Sequence, residues 1–216
     1  CDRIFGHSPA MTHALYRRAV GTLLALMAMI LALPALAAPA RPAKPVPPAP
    51  PPAVARVALT TAAGVITIEL DGKNAPITVS NFLRYVDQRR FDGTVFYRAM
   101  RLNWGTQPNG LVQGGTQNDP KRILKPIAHE PTSKTGILHK AGTISMARWA
   151  PGTATGDFSI LVSDMDSLDA QPQATGDTAG YAAFGRVVDG MDVVRKIFDA
   201  PISATKGEGV LKGQML

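Results

Sequence analysis

The stretch Phe91–Gly115 constrains the fold of this chain more than any other part of its sequence. Within it, residues Thr94–Met100 form an alternating run, and a polar loop and a second apolar run follow, ending at Gln113-Gly114-Gly115. Alternation at a period of two is typical of a half-buried β-strand. It predicts that Phe96 and Arg98 share one face of this strand. From spacing alone, Arg98 is either a surface residue whose stem lies on apolar side chains or a charge held in a cleft.

The rest of the chain from Val54 onward predicts short strands and two helices. Arg56–Thr61 and Val65–Leu70 are alternating, β-branched runs joined by a short turn, which is typical of a hairpin. One helix is predicted to begin near Pro76 and the other to end before Pro201, each with an apolar stripe. No βαβ rhythm appears, so we expect a mainly β fold, a closed antiparallel barrel of about eight strands capped by two α-helices. Further strands are predicted at Gly142–Arg148, Asp157–Leu161 and Tyr181–Val188.

Residues 1–37 have the organisation of a secretory signal, with Met11 as the expected start. Two arginines precede the apolar run Ala19–Leu33, and small residues follow up to Ala37. A short basic segment, an apolar run and a small-residue cleavage site define such a signal. The apolar run is shorter than the roughly 20 residues that span a bilayer comfortably, and a retained anchor is the alternative interpretation. We expect cleavage, no stable membrane anchor afterwards, and a periplasmic location in a Gram-negative cell.

Residues 38–53 form a proline-rich segment, APARPAKPVPPAPPPA. Proline fixes φ and removes a backbone donor, so this segment is predicted to be an extended spacer. A ligand for a proline-reading domain is the alternative interpretation. The folded domain is then expected to span residues 54–216.

Composition and charge argue against several classes of function. The net charge is +7 and no dense basic stripe appears, so a nucleic-acid partner is not expected. Cys1 is the single cysteine, so neither an intrachain disulfide nor a cysteine zinc site can form. His129 and Glu130 are adjacent and His139 follows, but no further ligand has suitable spacing for a metal. We therefore expect structural roles for these residues, and neither a metal nor another cofactor.

Several blocks of the sequence together resemble the cyclophilin family of peptidyl-prolyl cis-trans isomerases, in a bacterial version. They are FDGTVFYR, VQGG, GTISMAR and YAAFGRVVDGMDVV, in that order. The resemblance runs from about Val57 to Leu216. It implies an isomerase without cofactor that acts on X-Pro bonds of unfolded or proline-containing exported polypeptides, and we expect a monomer. It also implies a final apolar strand after Leu216, so that either the chain is truncated or this member tolerates a gap.

Isomerisation of an X-Pro bond requires rotation rather than bond breaking. Amide resonance sets a barrier of about 18–20 kcal/mol, and uncatalysed exchange takes roughly tens to hundreds of seconds. In the twisted transition state the prolyl nitrogen regains a localised lone pair. A catalyst therefore needs a fixed hydrogen-bond donor near that nitrogen and an apolar pocket for the ring. Arginine suits the donor role because it is always charged and presents a rigid fork.

The resemblance assigns these parts to particular residues. Arg98 falls at the position of the family's catalytic arginine. Gln113 falls at the position of a catalytic-site glutamine that binds substrate backbone and braces the arginine. Substrate-binding roles are implied for Phe96, Leu111, Ala147, Phe158, Leu168 and Tyr181.

The expected proline pocket departs from the family's pattern. Ser159 and Ser167 stand where aromatic side chains are usual, and Gly110 replaces another aromatic. Since burial of an aromatic contributes about 1.5–3 kcal/mol, the pocket is predicted to be shallow and to bind weakly. Trp104, in the inserted loop Leu102–Gly110, is a candidate replacement for a lost wall.

Two other functions stay open on the sequence. The eroded pocket favours a weakly active or inactive cyclophilin-fold chaperone, a binding module for proline-containing chains, whereas Arg98 and Gln113 favour catalysis. An unrelated hydrolase is disfavoured, because the sequence has no Gly-x-Ser-x-Gly elbow and no histidine in a triad context.

Overall fold

The computed structural model describes residues 49–216. The predicted signal peptide and residues 38–48 of the proline-rich segment lie outside the described residues. Regular structure begins at Val54, where the folded domain was expected to start.

One antiparallel sheet of seven strands curls around the core. The strands are β1 (Val54–Thr61), β2 (Gly64–Asp71), β3 (Val95–Arg101), β4 (Gly110–Gly115), β5 (Thr143–Met146), β6 (Asp157–Leu161) and β7 (Ala182–Asp189). Their order across the sheet is β1-β2-β7-β5-β6-β4-β3. The predicted mainly β fold and the β1–β2 hairpin are confirmed. Closure into a barrel of about eight strands is not confirmed, because β1 and β3 remain at the two edges of the sheet in the described part of the chain.

The segment Gln214–Leu216 lies along the outer edge of β3. The Ala99 amide donates to the Gln214 carbonyl at 2.8 Å, and the Leu216 amide donates to the Tyr97 carbonyl at 2.9 Å. An antiparallel bridge joins Arg98 to Met215. This pairing, which was not predicted from the sequence, satisfies backbone groups that an edge strand otherwise leaves open. It also brings the side chain of Gln214 next to that of Arg98.

Both predicted helices pack against the core, and a single helical turn accompanies them. The helices are α1 (Pro76–Asp87), α2 (Thr132–Thr135) and α3 (Met191–Phe198). In α1 the stripe residues Val79 and Phe82 are fully buried, and in α3 Val194 and Ile197 are buried. The ring of Phe82 contacts that of Phe158 edge-on, with centroids 5.4 Å apart. The helices therefore fill the interior that the curled sheet leaves open.

The start of α1 is capped by a side chain from a distant loop. Ala75, at the N-cap position, provides no side-chain hydrogen bond. Instead the carboxyl group of Glu130 accepts hydrogen bonds from the Thr78 amide at 2.8 Å, the Thr78 hydroxyl at 2.7 Å and the Ile77 amide at 3.2 Å. Glu130 is 1% exposed. Since the first amides of a helix have no partner within it, Glu130 joins the loop before α2 to α1. This confirms the structural role expected for Glu130.

Replacing Glu130 should destabilise the protein and leave the side-chain contacts on the outer face of β3 unchanged. In the variant Glu130→Gln, an amide nitrogen replaces one carboxylate oxygen and cannot accept a hydrogen bond from the donors of Ile77 or Thr78. We expect this change to lower the free energy of unfolding by about 1–3 kcal/mol. Urea denaturation of the full chain measures this loss. The exposed Glu208 offers a matched control, and Glu208→Gln should change the free energy of unfolding by less than about 0.5 kcal/mol. Equal stability of the two variants would contradict the capping role.

Candidate active site

A β-bulge decides which side chains of β3 reach the outer face of the sheet. Phe96 pairs with Gly114 and Arg98 pairs with Gln113, so Tyr97 is an extra residue in β3. Phe96 packs towards the core, where the ring lies so close to Gly114 that a Cβ there would be 3.0 Å from it. Arg98 lies on the opposite face. The prediction that Phe96 and Arg98 share a face is therefore wrong, because a bulge breaks the period-two alternation.

The guanidinium of Arg98 is held by three neighbours on this face. Nη1 donates to Oε1 of Gln113 at 2.9 Å, and Nε donates to Oε1 of Gln214 at 2.7 Å. Nη2 contacts the sulfur of Met100 at 3.4 Å. The side chain is half-buried. Between residues 49 and 216, no carboxylate lies within salt-bridge distance of it. Burial lowers the pKa of Arg98 from its ordinary value, yet an arginine stays charged at neutral pH. Arg98 is thus a fixed cation whose charge no neighbouring carboxylate neutralises.

An apolar patch borders Arg98, and two of the predicted pocket residues lie in it. Leu111 and Leu168 belong to one cluster, and Met100 links this cluster to the guanidinium. We call it the leucine–methionine patch; it comprises Met100, Leu102, Leu111, Leu161, Met165 and Leu168. The cation and the apolar surface predicted for the site are therefore adjacent.

Tyr181 and Ala147 are placed at the margins of this region. The Tyr181 amide donates to the Leu168 carbonyl at 2.9 Å, which ties Tyr181 to the patch. The guanidinium of Arg148 lies 4.8 Å from the centroid of the Tyr181 ring. The Ala147 amide donates to the carbonyl of Asp157 at 2.9 Å, and Ala147 is half-buried. The structure leaves the substrate-binding roles of Tyr181 and Ala147 as predictions.

Phe96 and Phe158 do not line this surface. Their ring centroids are 5.9 Å apart, and both side chains pack in the main core. Phe158 is only 5% exposed. Both side chains support the sheet from behind, which corrects the substrate-binding role predicted for them. The physical reason is the same period of two: β6 turns Phe158 inward and Ser159 towards Gln113.

The inserted loop does not supply the missing pocket wall in this structure. Trp104 is 62% exposed, and its carbonyl accepts a hydrogen bond from the Asn109 side chain at 2.6 Å. The ring of Trp104 does not belong to the leucine–methionine patch. Ser167 is exposed, as expected for a lost wall. The hypothesis that Trp104 replaces an aromatic wall therefore has no support from the structure.

Sequence reasoning missed two polar residues behind Gln113, in addition to Gln214. The Gln113 Nε2 group donates to the Tyr97 hydroxyl at 2.7 Å. Asp157 is 4% exposed, and its carboxylate accepts a hydrogen bond from the Gln117 amide at 2.7 Å. Burial raises the pKa of Asp157 and, more strongly, that of Tyr97. An aspartate at the start of the apolar strand DFSIL was a signal in the sequence, whereas the bulge that exposes Tyr97 left none.

A buried serine–histidine–aspartate chain also exists in the molecule. His139 Nδ1 lies 2.6 Å from Oδ1 of Asp169, and Nε2 lies 2.8 Å from the hydroxyl of Ser145. This arrangement joins residues far apart in the chain and was not predicted from the sequence. However, His139 is 0% exposed and Ser145 is 2% exposed. No substrate can reach this serine, so the chain is structural and gives the hydrolase alternative no accessible nucleophile.

Other features of the described residues point to no second site. No cluster of three or more His, Cys, Asp or Glu side chains suited to a metal occurs within residues 49–216. No helix in that range has the length and apolar character to cross a bilayer. A cavity of about 500 Å³ lies near Leu70, Ile137 and Arg186, and none of the predicted site residues lines it.

Comparisons with known proteins match this chain to one family of enzymes. The family model for cyclophilin-type peptidyl-prolyl cis-trans isomerases matches residues 56–212. A peptidyl-prolyl cis-trans isomerase of Acinetobacter baylyi is 39% identical over 68% of this chain and 73% of its own length. The Escherichia coli peptidyl-prolyl cis-trans isomerase B is 37% identical over 65% of this chain and 82% of its own length. The chain therefore belongs to the cyclophilin-type peptidyl-prolyl cis-trans isomerases and is an enzyme of that class.

A solved structure supports the fold independently. A cyclophilin-type isomerase from Cryptosporidium parvum superposes with a TM-score of 0.58 at 19% sequence identity. The match covers 76% of this chain and 93% of that protein. At this identity the similarity concerns the fold alone.

The buried His139 should make stability depend on pH. Desolvation lowers its pKa below the ordinary value of 6.5, and the bond to Asp169 opposes this only in part. Between the two pKa values, His139 therefore binds a proton in the unfolded chain and remains neutral in the folded chain. Stability is thus fully present above about pH 6.5 and falls as the pH drops towards the folded pKa, by up to about 1.4 kcal/mol per pH unit.

Denaturation at several pH values between about 7 and 5 tests this, since the slope reports the proton difference. In His139→Gln the slope should decrease, whereas in His129→Gln it should remain as in the wild type. His129 is a fitting control because it is half-buried and its Nε2 lies 3.0 Å from the Ala179 carbonyl. An unchanged slope in His139→Gln would contradict the assignment.

Proposed function

We propose that this enzyme accelerates X-Pro rotation in exported polypeptides with Arg98 as the donor to the prolyl nitrogen. The observation that carries the proposal is the position of Arg98, a half-buried cation fixed at 2.9 Å from Gln113 beside the leucine–methionine patch. The family membership gives the reaction class, and the geometry around Arg98 supports the role proposed for it.

The guanidinium retains donors for a substrate. Arginine has five N–H groups, and Gln113, Gln214 and Met100 engage three of them. Two remain, one on Nη1 and one on Nη2. The sulfur of Met100 is a weak acceptor, so the Nη2 hydrogen that contacts it is also available to a substrate. A donor that is already fixed needs no reorganisation when the prolyl lone pair appears, and it stabilises the twisted amide more than the planar one.

The leucine–methionine patch would hold the proline ring. Leu111 is buried and Leu168 is half-buried, and they approach Arg98 through Met100. Because serines replace aromatic walls at positions 159 and 167, we expect weaker substrate binding than an aromatic pocket gives, by about 1.5–3 kcal/mol per lost ring. Gln113 braces Arg98 through Oε1. Its binding of substrate backbone, like its catalytic role, remains part of the proposal.

Export and a periplasmic location rest on residues 1–37 of the sequence. A basic segment, an apolar run and Ala35-Leu36-Ala37 support a cleaved signal, and the clients would then be unfolded or proline-containing exported chains. We propose that the mature protein is monomeric and carries no membrane anchor. N-terminal sequencing of protein recovered from a periplasmic fraction should give Ala38 as the first residue. A mature chain that retains Ala19–Leu33 in the membrane fraction would contradict this.

The alternative is a binding module of the same fold that turns over little substrate. It is favoured by the serines at positions 159 and 167, which stand where two aromatic walls of the pocket are usual. The two functions differ in one respect. An enzyme needs the charge of Arg98 in the transition state, whereas a binding module needs only an apolar surface for the proline ring, such as the leucine–methionine patch.

Exchange spectroscopy on an Ala-Pro peptide separates them. We expect Arg98→Ala to lower kcat/KM by about a hundredfold, because a preorganised donor of this kind contributes on that order. Arg98→Lys should recover little, since an ammonium lacks the planar fork that contacts Gln113 and Gln214 together. Arg56→Ala, which removes an exposed arginine on β1, is the matched control and should leave the rate unchanged.

The outcome decides between the functions. If peptide binds but no exchange is accelerated by the wild type, the binding module is correct. If Arg98→Ala retains the wild-type rate, the protein isomerises X-Pro bonds by some other group and the proposed mechanism is wrong.

A further inference from the structure

The segment between β6 and β7 forms one side of the leucine–methionine patch. It spans residues 162–181, contributes Met165 and Leu168 to the patch, and ends at Tyr181. Two contacts join its parts. The Tyr181 amide donates to the Leu168 carbonyl at 2.9 Å, and Gly180 packs so closely that a Cβ there would be 2.6 Å from the same oxygen. A group that fixes Gly180 and Tyr181 therefore also fixes the position of Leu168.

Arg148 contacts both of these residues. Its Nε group donates to the Gly180 carbonyl at 3.0 Å, and its Nη2 group donates to the same oxygen. The central carbon of its guanidinium lies 4.8 Å from the centroid of the Tyr181 ring. The side chain of Arg148 is only 1% exposed. Because a cation over an aromatic face is attracted to it, and more strongly when water is excluded, Arg148 holds the backbone of one residue and the ring of the next.

The charge of Arg148 has a carboxylate partner, unlike that of Arg98. Its Nη1 group donates to the carboxylate of Asp177 at 2.6 Å and to the carbonyl of Trp149 at 3.2 Å. The hydrogen bond from Arg148 lowers the pKa of Asp177, which therefore stays ionised at neutral pH. A buried guanidinium is costly unless it is paired and hydrogen-bonded, and Arg148 meets both conditions. Its contacts thus suit it to hold neighbouring residues rather than to donate to a substrate.

We infer that Arg148 is a positioning residue for substrate binding: it holds Tyr181 and Leu168 in place as the side of the pocket against which the proline ring packs. This inference rests on the proposed function, because it takes the leucine–methionine patch as the site of the ring. It deepens that function by naming a buried residue that shapes the pocket through its neighbours.

Two substitutions of Arg148 should raise the KM for an Ala-Pro peptide. Arg148→Lys keeps a positive charge near Asp177 but lacks the planar fork that covers the tyrosine ring and reaches Gly180. We expect KM to rise about threefold in this variant and about tenfold in Arg148→Met, which removes the charge as well. The value of kcat should stay within about twofold of the wild type, because Arg98 and Gln113 are unchanged.

A double-mutant cycle tests whether Arg148 acts through Tyr181. The variant Tyr181→Ala removes the ring that Arg148 covers, and we expect it to raise KM about tenfold. In Tyr181→Ala with Arg148→Met, KM should rise only about twentyfold, since most of what Arg148 holds is already absent. Independent losses would instead multiply to about a hundredfold. A role in stability alone would lower the unfolding temperature without this coupling in KM.

The experiment measures KM, kcat and thermal unfolding of the full chain, with two control variants. Arg122 is the matched control, because it donates to the carbonyls of Arg90 at 2.9 Å and Asp92 at 2.8 Å and pairs with Asp119 at 3.7 Å. Arg122→Lys should lower the unfolding temperature and leave KM unchanged. Asp177→Asn keeps an oxygen that accepts from the guanidinium, so KM should stay within about twofold.

Each result supports or overturns the inference. A raised KM in both Arg148 variants, with kcat retained and a cycle that falls short of multiplication, supports it. Wild-type KM in both variants, a multiplicative cycle, or a rise in Asp177→Asn equal to that in Arg148→Lys overturns it. If Arg148→Met does not fold, Arg148→Lys takes its place in the cycle.

The variant Leu168→Ala separates this inference from the proposed function. If Leu168→Ala raises KM while the Arg148 variants do not, this inference alone fails. If Leu168→Ala leaves KM unchanged, the proline ring does not bind the leucine–methionine patch, and the proposed pocket fails together with the inference.

Discussion

The hydrogen bond between Arg98 and Gln113 is the interaction on which the proposed chemistry depends. It joins β3 to β4 on the outer face of the sheet at 2.9 Å, and it holds a cation that has no carboxylate partner within residues 49–216. A free arginine side chain would have to give up rotamer freedom when it meets a substrate, at about 1–2 kcal/mol. Here the protein has already restricted it. The same bond leaves two N–H groups unengaged, which a twisted amide can use.

The fold supplies this bond through a local irregularity rather than through its regular pattern. Without the bulge, Phe96 and Arg98 would lie on the same face of β3, so Arg98 could not reach Gln113 on the outer face while Phe96 packs in the core. The core in turn accepts Phe96 because Gly114 opposite it has no side chain. The antiparallel pairs Arg98–Gln113 and Gln113–Ser159 then set one polar row across β3, β4 and β6. Phe158, one residue before Ser159, packs against Phe82 on the core side of β6.

The sequence predicted the elements and the central pair well, for a physical reason. Strand alternation and helical stripes are local properties, so the β1–β2 hairpin, α1 and α3 were all identifiable from short windows. Arg98 and Gln113 were identified through the family resemblance, and the structure brings them together. The misassigned residues depend on non-local or irregular features. Phe158 was assigned to the pocket because the sequence did not show which face of β6 it occupies.

Contacts between distant segments account for the remaining misses. The approach of Gln214 to Arg98, the capping of α1 by Glu130 and the meeting of His139 with Asp169 each join residues far apart in the chain. Long-range contacts of this kind leave no periodic pattern in the sequence. Asp157 gave a partial signal, since an acidic residue at the head of an apolar strand needs buried donors.

A crystal structure of the protein with a bound Ala-Pro peptide tests the account most directly. The account predicts that the proline ring lies on the leucine–methionine patch, with a guanidinium nitrogen of Arg98 within about 3.5 Å of the prolyl nitrogen. A proline ring in the cavity near Leu70 and Ile137, or an Arg98 fork turned away from the peptide, would contradict it.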